Sequence, residues 1–164
     1  MKRFFLFALA ATVFAACSTA TLEMPIPSNQ IWYTSSNGKI VKPNATDVFG
    51  ANIISNTYEN GVGIITFDGD VTTIGYSAFD YCSALTSVTI PDSVTTFGEY
   101  AFYNCDALKE VYCKPTTPPS LDGSNVFDHN ASDRKIYVPT ASAYKAADGW
   151  KEYADAIEPY NFTE

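Results

Sequence analysis

Two segments in the middle of the chain carry the same order of hydrophobic and polar positions. Residues 71–93 read VTTIGYSAFDYCSALTSVTIPDS and residues 94–116 read VTTFGEYAFYNCDALKEVYCKPT, so the period is 23 residues. The matched positions share an apolar or small side chain, and they pair Val71 with Val94, Ile74 with Phe97, Gly75 with Gly98, Ala78 with Ala101, Phe79 with Phe102, Cys82 with Cys105, Leu85 with Leu108 and Val88 with Val111. A repeat of this length is typical of a solenoid, whose neighbouring units bury each other's apolar edges.

Each repeat divides into a strand and a turn. Leu85, Val88 and Ile90 alternate with polar residues as in a half-buried strand, so we expect these three side chains to face inward. The strand should end at Pro91, which has no backbone donor. The glycine before the turn permits a tight corner, and residues 78–82 suit a short helical turn.

Upstream of the repeat, two Asn-Gly pairs predict β-hairpins because both turn positions favour a positive φ. The predicted strands are residues 31–35 and 39–42 around Asn37-Gly38, and residues 52–58 and 62–67 around Asn60-Gly61. Residues 43–50 lack periodicity and should form a loop. We expect the two hairpins to cover the first repeat as an N-terminal cap.

Downstream of the repeat, the pattern changes from strand to helix. Residues 115–123 are rich in proline and predict a turn region, and residues 135–139 predict one more strand. A helical segment should follow, since apolar residues recur with helical spacing at Ala143, Ala147, Trp150, Ala154 and Ile157. Thr140 is the candidate N-cap, and Gly149 should divide the segment into two short helices. Trp150 is expected to be a buried structural plug.

The repeated pattern xxIGxxAFxxCxxLxxVxIPxSV resembles the BspA-type leucine-rich repeat of bacterial surface proteins across residues 66–113. The sequence departs from that pattern at Cys113 and Lys114, where Ile and Pro would be expected, so the second repeat should be the last full one. The resemblance implies a β-rich α+β fold: a short leucine-rich-repeat solenoid with an N-terminal β-hairpin cap and a C-terminal strand plus helical cap. Residues 31–164 would form this single domain. Members of the family usually act as adhesins or recognition proteins.

The N-terminus has the pattern of an export signal. Two basic residues precede an apolar run that is too short to cross a bilayer as a stable helix. The run ends in Phe14-Ala15-Ala16-Cys17, which is similar to the lipobox of bacterial lipoproteins except at Phe14, where an aliphatic residue is more common. We predict a signal peptide over residues 1–16, lipidation of Cys17 and a tether over residues 17–30, with ordinary secretory cleavage as the alternative. The protein would then lie in the cell envelope, at the outer membrane or cell surface, and meet the membrane through its lipid alone.

Charge and cysteine content narrow the function classes. The net charge is −8 and becomes more negative when the basic leader is removed, which argues against nucleic acid as a partner. Beyond Cys17 the chain has Cys82, Cys105 and Cys113, with no C-x-x-C pair and His129 as the sole histidine. These spacings exclude the common zinc sites, and we expect neither a metal nor a cofactor. Buried free thiols are expected, with a Cys82–Cys105 disulfide as the alternative.

Positions that differ between the two repeats are the expected ligand contacts. On the strand side, the candidate ligand-binding residues are four that occupy such variable positions: Thr89, Lys109, Glu110 and Tyr112. Tyr112 is the strongest candidate because aromatic side chains dominate binding hot spots. A second aromatic patch is expected on the turn side, formed by Tyr76, Tyr81, Tyr100 and Tyr103.

The sequence predicts no enzyme. His129 has neither a nucleophile motif nor a second imidazole beside it, so no catalytic residue is assigned. Asp68 and Asp70 are read as turn carboxylates, with a calcium site as the alternative. The first hypothesis is a recognition or adhesion module for a protein or glycan ligand, such as a host matrix protein. The second is a structural or assembly subunit that docks onto another envelope protein of the same cell.

Overall fold

The protein is described by a computed structural model over residues 26–162. The strands of this part of the chain are β1 (Gln30–Ser35), β2 (Ile53–Glu59), β3 (Val62–Phe67), β4 (Thr73–Ile74), β5 (Leu85–Ile90), β6 (Thr96–Gly98), β7 (Glu110–Cys113), β8 (Ser120–Asp122), β9 (Lys135–Val138) and β10 (Ile157–Pro159). An α-helix, α1, spans Ala141–Ala146, and a 3-10 helix spans Trp150–Ala156. Neither helix has the length and apolar character that a membrane crossing requires. The predicted signal peptide, Cys17 and most of the tether lie outside the described residues.

The larger sheet has seven strands in the order β10-β9-β7-β5-β1-β3-β2. Its strands β5, β7, β9 and β10 run parallel, and β1, β3 and β2 continue it antiparallel. Val88 pairs in register with Val111, as the 23-residue period predicts, and Val111 pairs with Ile136. All three side chains are fully buried, so the expected inward face of the repeat strands is confirmed.

A smaller parallel sheet, in the order β4-β6-β8, joins the starts of the repeats. Three phenylalanine rings stack within the same buried cluster that holds the inward face of the larger sheet. The rings of Phe79 and Phe102 are 5.2 Å apart at 3°, and those of Phe102 and Phe127 are 5.5 Å apart at 5°. The core therefore runs as one continuous apolar column from repeat to repeat.

The turns are joined by backbone hydrogen bonds between successive repeats. Alternate amides of the first turn donate to carbonyls of the second: Ser77 to Glu99 at 3.1 Å, Phe79 to Ala101 at 2.8 Å and Tyr81 to Tyr103 at 3.0 Å. This approach requires Gly98, because a Cβ there would lie 2.4 Å from the Tyr76 backbone nitrogen. The glycine shared by the repeats thus serves close packing of one turn on the next.

One of the two predicted hairpins forms. β2 and β3 pair antiparallel around Asn60 and Gly61, both at positive φ. The prediction of a hairpin around Asn37-Gly38 is wrong, because residues 39–42 form no strand. Both edges of β1 are instead occupied by β3 and β5. The chain after the turn is held differently, by a 3.2 Å bond from the Val41 amide to the Tyr33 hydroxyl.

The repeat continues for a third unit, residues 118–138, which the sequence analysis missed. β8 pairs with β6 in the smaller sheet, and β9 pairs with β7 in the larger one. Phe127 takes the stacked position of Phe102. The expectation that the second repeat is the last full one is therefore wrong. The third repeat does not follow the 23-residue period: Ser120 pairs with the residue 24 positions before it, and Ile136 pairs with the residue 25 positions before it.

The C-terminal segment packs on this third unit. The Trp150 ring is fully buried, lies 5.9 Å from the Phe127 ring and donates its indole N–H to the Pro119 carbonyl at 2.7 Å. The expected break at Gly149 is confirmed by its φ of 77°. Thr140 occupies the N-cap position, but its side chain makes no capping hydrogen bond. Ile157 was expected in a helix and instead begins β10, because its backbone pairs with Ile136 of β9.

Candidate functional site

One row of side chains crosses the outward face of the larger sheet. Strand register places Trp32 beside Thr89, Thr89 beside Tyr112 and Tyr112 beside Tyr137. Each is half-buried, whereas its neighbours along the strand are buried in the core. The side chains of this row therefore project away from the core, since alternate residues of a strand face opposite sides of a sheet.

The aromatic residues at one end of the row form a contiguous surface. The Tyr112 and Tyr137 rings stack with centroids 4.9 Å apart at 20°, and the Tyr160 ring meets them edge-on at 5.3 and 5.6 Å. Phe162 extends the contact from Tyr160 at 4.8 Å. We call these four residues the sheet-face cluster. Desolvation, followed by the charge of Glu110, raises the pKa of Tyr112, so its phenol stays neutral at physiological pH.

Charges of both signs surround the sheet-face cluster. Lys135 and Glu158 form an ion pair at 2.9 Å, which raises the pKa of the lysine and lowers that of the glutamate. The Lys114 ammonium lies 5.9 Å from the Phe162 ring centroid. Register places Glu110 opposite Lys135. The face thus combines flat apolar rings with donors and acceptors at its rim, as binding interfaces do.

Three of the four predicted ligand residues share this face. Thr89, Glu110 and Tyr112 lie on the outward side of β5 and β7. Lys109 lies just before β7, where its ammonium pairs with Asp133 at 3.2 Å, and it has no ring contact with the cluster. Whether these residues bind a ligand stays a prediction.

Sequence reasoning missed three of the four rings of the sheet-face cluster: those of Tyr137, Tyr160 and Phe162. Tyr137 was not proposed as a contact, although KIYV repeats the alternation of EVYC and could have revealed it. Tyr160 gave no such signal, because its position depends on the pairing of β10 with β9.

The predicted turn-side patch forms a second aromatic surface. Tyr76 and Tyr81 are 61% and 71% exposed. The ring of Tyr100 lies 5.8 Å from that of Tyr76 and 5.1 Å from that of Tyr103. Tyr103 in turn contacts Tyr81 at 6.5 Å and His129 at 5.0 Å. We call these five residues the turn-side cluster.

The thiols have structural contacts. Cys82, Cys105 and Cys113 are free, as expected, and the last two are fully buried while Cys82 is half-buried. Cys105 donates to the Phe79 carbonyl at 3.0 Å. Burial raises the pKa of all three thiols, that of Cys82 to about 11, so none is a ready nucleophile at neutral pH.

The acidic turn at residues 68–70 is also structural. The Asp68 carboxylate accepts bonds from the Asn52 amide and side chain, both at 2.8 Å, and these bonds lower its pKa. The Asp70 carboxylate accepts a bond from the Ser28 hydroxyl. Across residues 26–162 no group of three His, Cys, Asp or Glu side chains is arranged to hold a metal ion.

A protein-family model described as "BspA type Leucine rich repeat region (6 copies)" matches residues 51–144. This match covers more than half of the chain, and it includes β5, β7 and β9. The chain belongs to this family. BspA-type leucine-rich repeat regions are generally non-enzymatic binding modules and are typically surface-associated. No curated protein matches the chain.

The BspA-type match contains all four predicted ligand residues and both tyrosines that stack at the centre of the sheet-face cluster. Tyr160 and Phe162 lie beyond its last residue. The cluster therefore joins the repeat region of the family to the C-terminal segment of this chain.

Proposed function

We propose that this protein is a recognition or adhesion module of the cell envelope that binds a protein or glycan ligand through its sheet-face cluster. The observation that carries the proposal is the stacked Tyr112–Tyr137 pair, with Tyr160 against both rings, on the outward side of a sheet whose other side is the core. Tyrosine rings offer a large contact area and a polar tip with little conformational entropy to lose.

The scaffold suits this function because it presents the rings on paired strands. The register of β7 and β9 places Tyr112 beside Tyr137, and Tyr160, which directly follows β10, donates its amide to the Val138 carbonyl at 2.8 Å. We interpret the whole as a short solenoid, with the β2–β3 hairpin at one end and the C-terminal strand and helices at the other. Little loop ordering would then accompany binding.

The contact surface extends from the rings to their polar neighbours. Thr89 and Glu110 lie beside Tyr112 on the same face, so they would contact a ligand that covers the tyrosine. Lys109 lies at the margin, where its ion pair with Asp133 is exposed and can be exchanged for a ligand carboxylate at small cost.

Membrane attachment would multiply a modest affinity. With Cys17 lipidated and the following residues acting as a tether, many copies would face the same ligand-bearing surface, and avidity would exceed the affinity of one site. Lipidation of Cys17 would place the protein at the outer membrane or cell surface. A host matrix protein is one class of ligand that it would meet there.

The binding proposal is tested by comparing cells that display the wild type, a Tyr112→Ala/Tyr137→Ala double variant or a Tyr76→Ala control. Glycan arrays and immobilised matrix proteins are the ligands. We expect the double variant to lose binding by about tenfold or more, since each truncated hot-spot aromatic costs about 1–2 kcal/mol. The control changes an exposed tyrosine on the opposite patch and should bind as the wild type does.

Equal binding by the wild type and the double variant would disprove the sheet-face site. Co-purification of a stoichiometric envelope protein, lost in the double variant, would instead favour the assembly-subunit hypothesis. Anchoring is tested separately with Cys17→Ala, which should abolish incorporation of radiolabelled palmitate and release the protein from membranes. Retention of the label would contradict the proposed lipid site.

A further inference from the structure

The turn-side cluster differs from the sheet-face cluster in the sign of its surrounding charge. The three turns of the repeats, residues 75–83, 98–107 and 122–130, contain no lysine or arginine. Their charged residues are the carboxylates Asp80, Glu99, Asp106, Asp122 and Asp128. Asp106 and Asp122 are exposed. A ligand on this surface would meet tyrosine rings and negative charge together.

The cations that flank the turns leave this field negative, and one of them, Lys109, forms an ion pair with Asp133 at 3.2 Å. Arg134 is half-buried against Phe127 and Tyr153, with its guanidinium carbon 5.6 and 5.3 Å from the two ring centroids. One of its guanidinium nitrogens also donates to the Phe127 carbonyl. Lys42 is exposed in the segment before β2, and its carbonyl accepts from the Cys82 thiol at 3.4 Å. Arg134 is therefore engaged inside the fold, and Lys42 lies at one margin of the patch.

The rings of the turn-side cluster form a continuous path over the three repeats. Successive centroids from Tyr76 through Tyr100 and Tyr103 to His129 are 5.8, 5.1 and 5.0 Å apart, and Tyr81 branches from Tyr103 at 6.5 Å. Alternate side chains of an extended peptide are ~6.6 Å apart, which is close to these steps. An extended segment could therefore place one side chain on each ring.

We propose that the turn-side cluster is a docking surface for an arginine-rich extended segment of a partner protein. Arginine fits better than lysine, because its planar guanidinium stacks on tyrosine and also donates two parallel hydrogen bonds to a carboxylate. Glu99 aligns with Tyr76 across the repeat, and its carboxylate accepts a hydrogen bond from the Tyr100 hydroxyl, so a carboxylate lies beside the rings. This surface is distinct from the sheet-face cluster, so the protein would have two contacts of different chemistry.

The proposal is tested with the full chain in detergent micelles and a fluorescent peptide of four Arg-Ser repeats, with a Lys-Ser peptide of equal charge as the comparison. Fluorescence anisotropy at physiological salt measures both affinities. We expect the arginine peptide to bind at least about threefold more tightly, because stacking adds to charge attraction. Equal affinities would overturn the stacking argument.

Matched variants locate the peptide. Tyr81→Asn copies Asn104, the residue at the equivalent repeat position, and Asn tolerates the left-handed backbone found at both sites. Together with Tyr76→Ala it should weaken the arginine peptide by about tenfold, whereas Asp106→Asn should weaken it about twofold and flatten its salt dependence. Tyr137→Ala on the sheet face should leave it unchanged. Equal losses in Tyr137→Ala, or no loss in the turn-side variants despite unchanged circular dichroism, would disprove the site.

Discussion

The sheet face and the turn face both carry lines of aromatic rings across successive repeats, but the two lines are built differently. On the sheet face, strand pairing places Tyr112 and Tyr137 side by side at 4.9 Å and nearly parallel. On the turn face, the rings of Tyr76, Tyr81 and Tyr103 meet their neighbours edge-on, and residues there occupy the left-handed region. Regular pairing thus produces a flat platform, whereas irregular turns produce a stepped surface.

The electrostatic contrast is equally clear. The sheet face has Lys135 paired with Glu158 and a lysine over its terminal ring, while the turns carry carboxylates without lysine or arginine. Both surfaces rest on one column of phenylalanines. This small repeat protein thus carries two aromatic surfaces with different charge surroundings over a common core.

The largest expected effect comes from breaking that common core with Phe102→Ala. Phe102 is fully buried between Phe79 and Phe127, so truncation leaves a cavity in the column and should cost about 3–5 kcal/mol of unfolding free energy. Urea denaturation followed by circular dichroism measures the loss. Tyr76→Ala, at a 61% exposed position, is the control and should change stability by less than about 1 kcal/mol. Similar losses in both variants would mean that the column is not the shared support.

A less destabilising substitution should loosen the turn face more than the sheet face. Gly98→Ala places a methyl group 2.4 Å from the Tyr76 backbone nitrogen, so the first and second turns must move apart, at a cost of about 1–3 kcal/mol. Hydrogen exchange should accelerate at the turn amides of Ser77 and Phe79 more than at the strand amides of β5 and β7. Gly69→Ala is the matched control, since its Cβ would meet a single atom at an ordinary 3.7 Å. Uniform acceleration across both faces would contradict independent loosening of the turns.

The smallest expected effect concerns the link between the turn face and the C-terminal segment. The Tyr153 hydroxyl donates to the Ser124 carbonyl at 2.6 Å, and burial raises its pKa from 10.0 to about 12. The folded state holds the Tyr153 proton more tightly than the unfolded state does. The contribution of this proton to the free energy of unfolding is therefore complete below pH ~10 and disappears as the pH rises to about 12. Tyr153→Phe should lose about 1 kcal/mol at neutral pH.

Stability measured by urea denaturation at several alkaline pH values checks this effect. The other buried tyrosines also titrate there, so the informative quantity is the difference in unfolding free energy between the wild type and Tyr153→Phe. That difference should shrink between pH ~10 and pH ~12. A constant difference over this range would show that the hydroxyl does not stabilise the fold through its proton.

The repeat strands and their inward residues could be predicted from sequence, because a 23-residue period aligns Val88 with Val111. The β2–β3 hairpin was predictable for a local reason, since Asn60-Gly61 favours its turn. The place of β1 between β3 and β5 was not, because its pairing joins Trp32 to Ile64 on one side and to Thr89 on the other. Nothing local to β1 indicates which distant edges will accept its hydrogen bonds.

The candidate site shows the same division. Sequence alone determined that Thr89 and Tyr112 occupy one variable position of the repeat, and that tyrosines recur in the turns. Tertiary structure decided that Tyr137 and Tyr160 complete the sheet face, because the third repeat has a longer spacing and β10 reaches β9 by a parallel pairing. Short-range patterns fix periodicity and turn geometry, whereas the choice of strand partner depends on burying apolar surface between segments far apart in the chain.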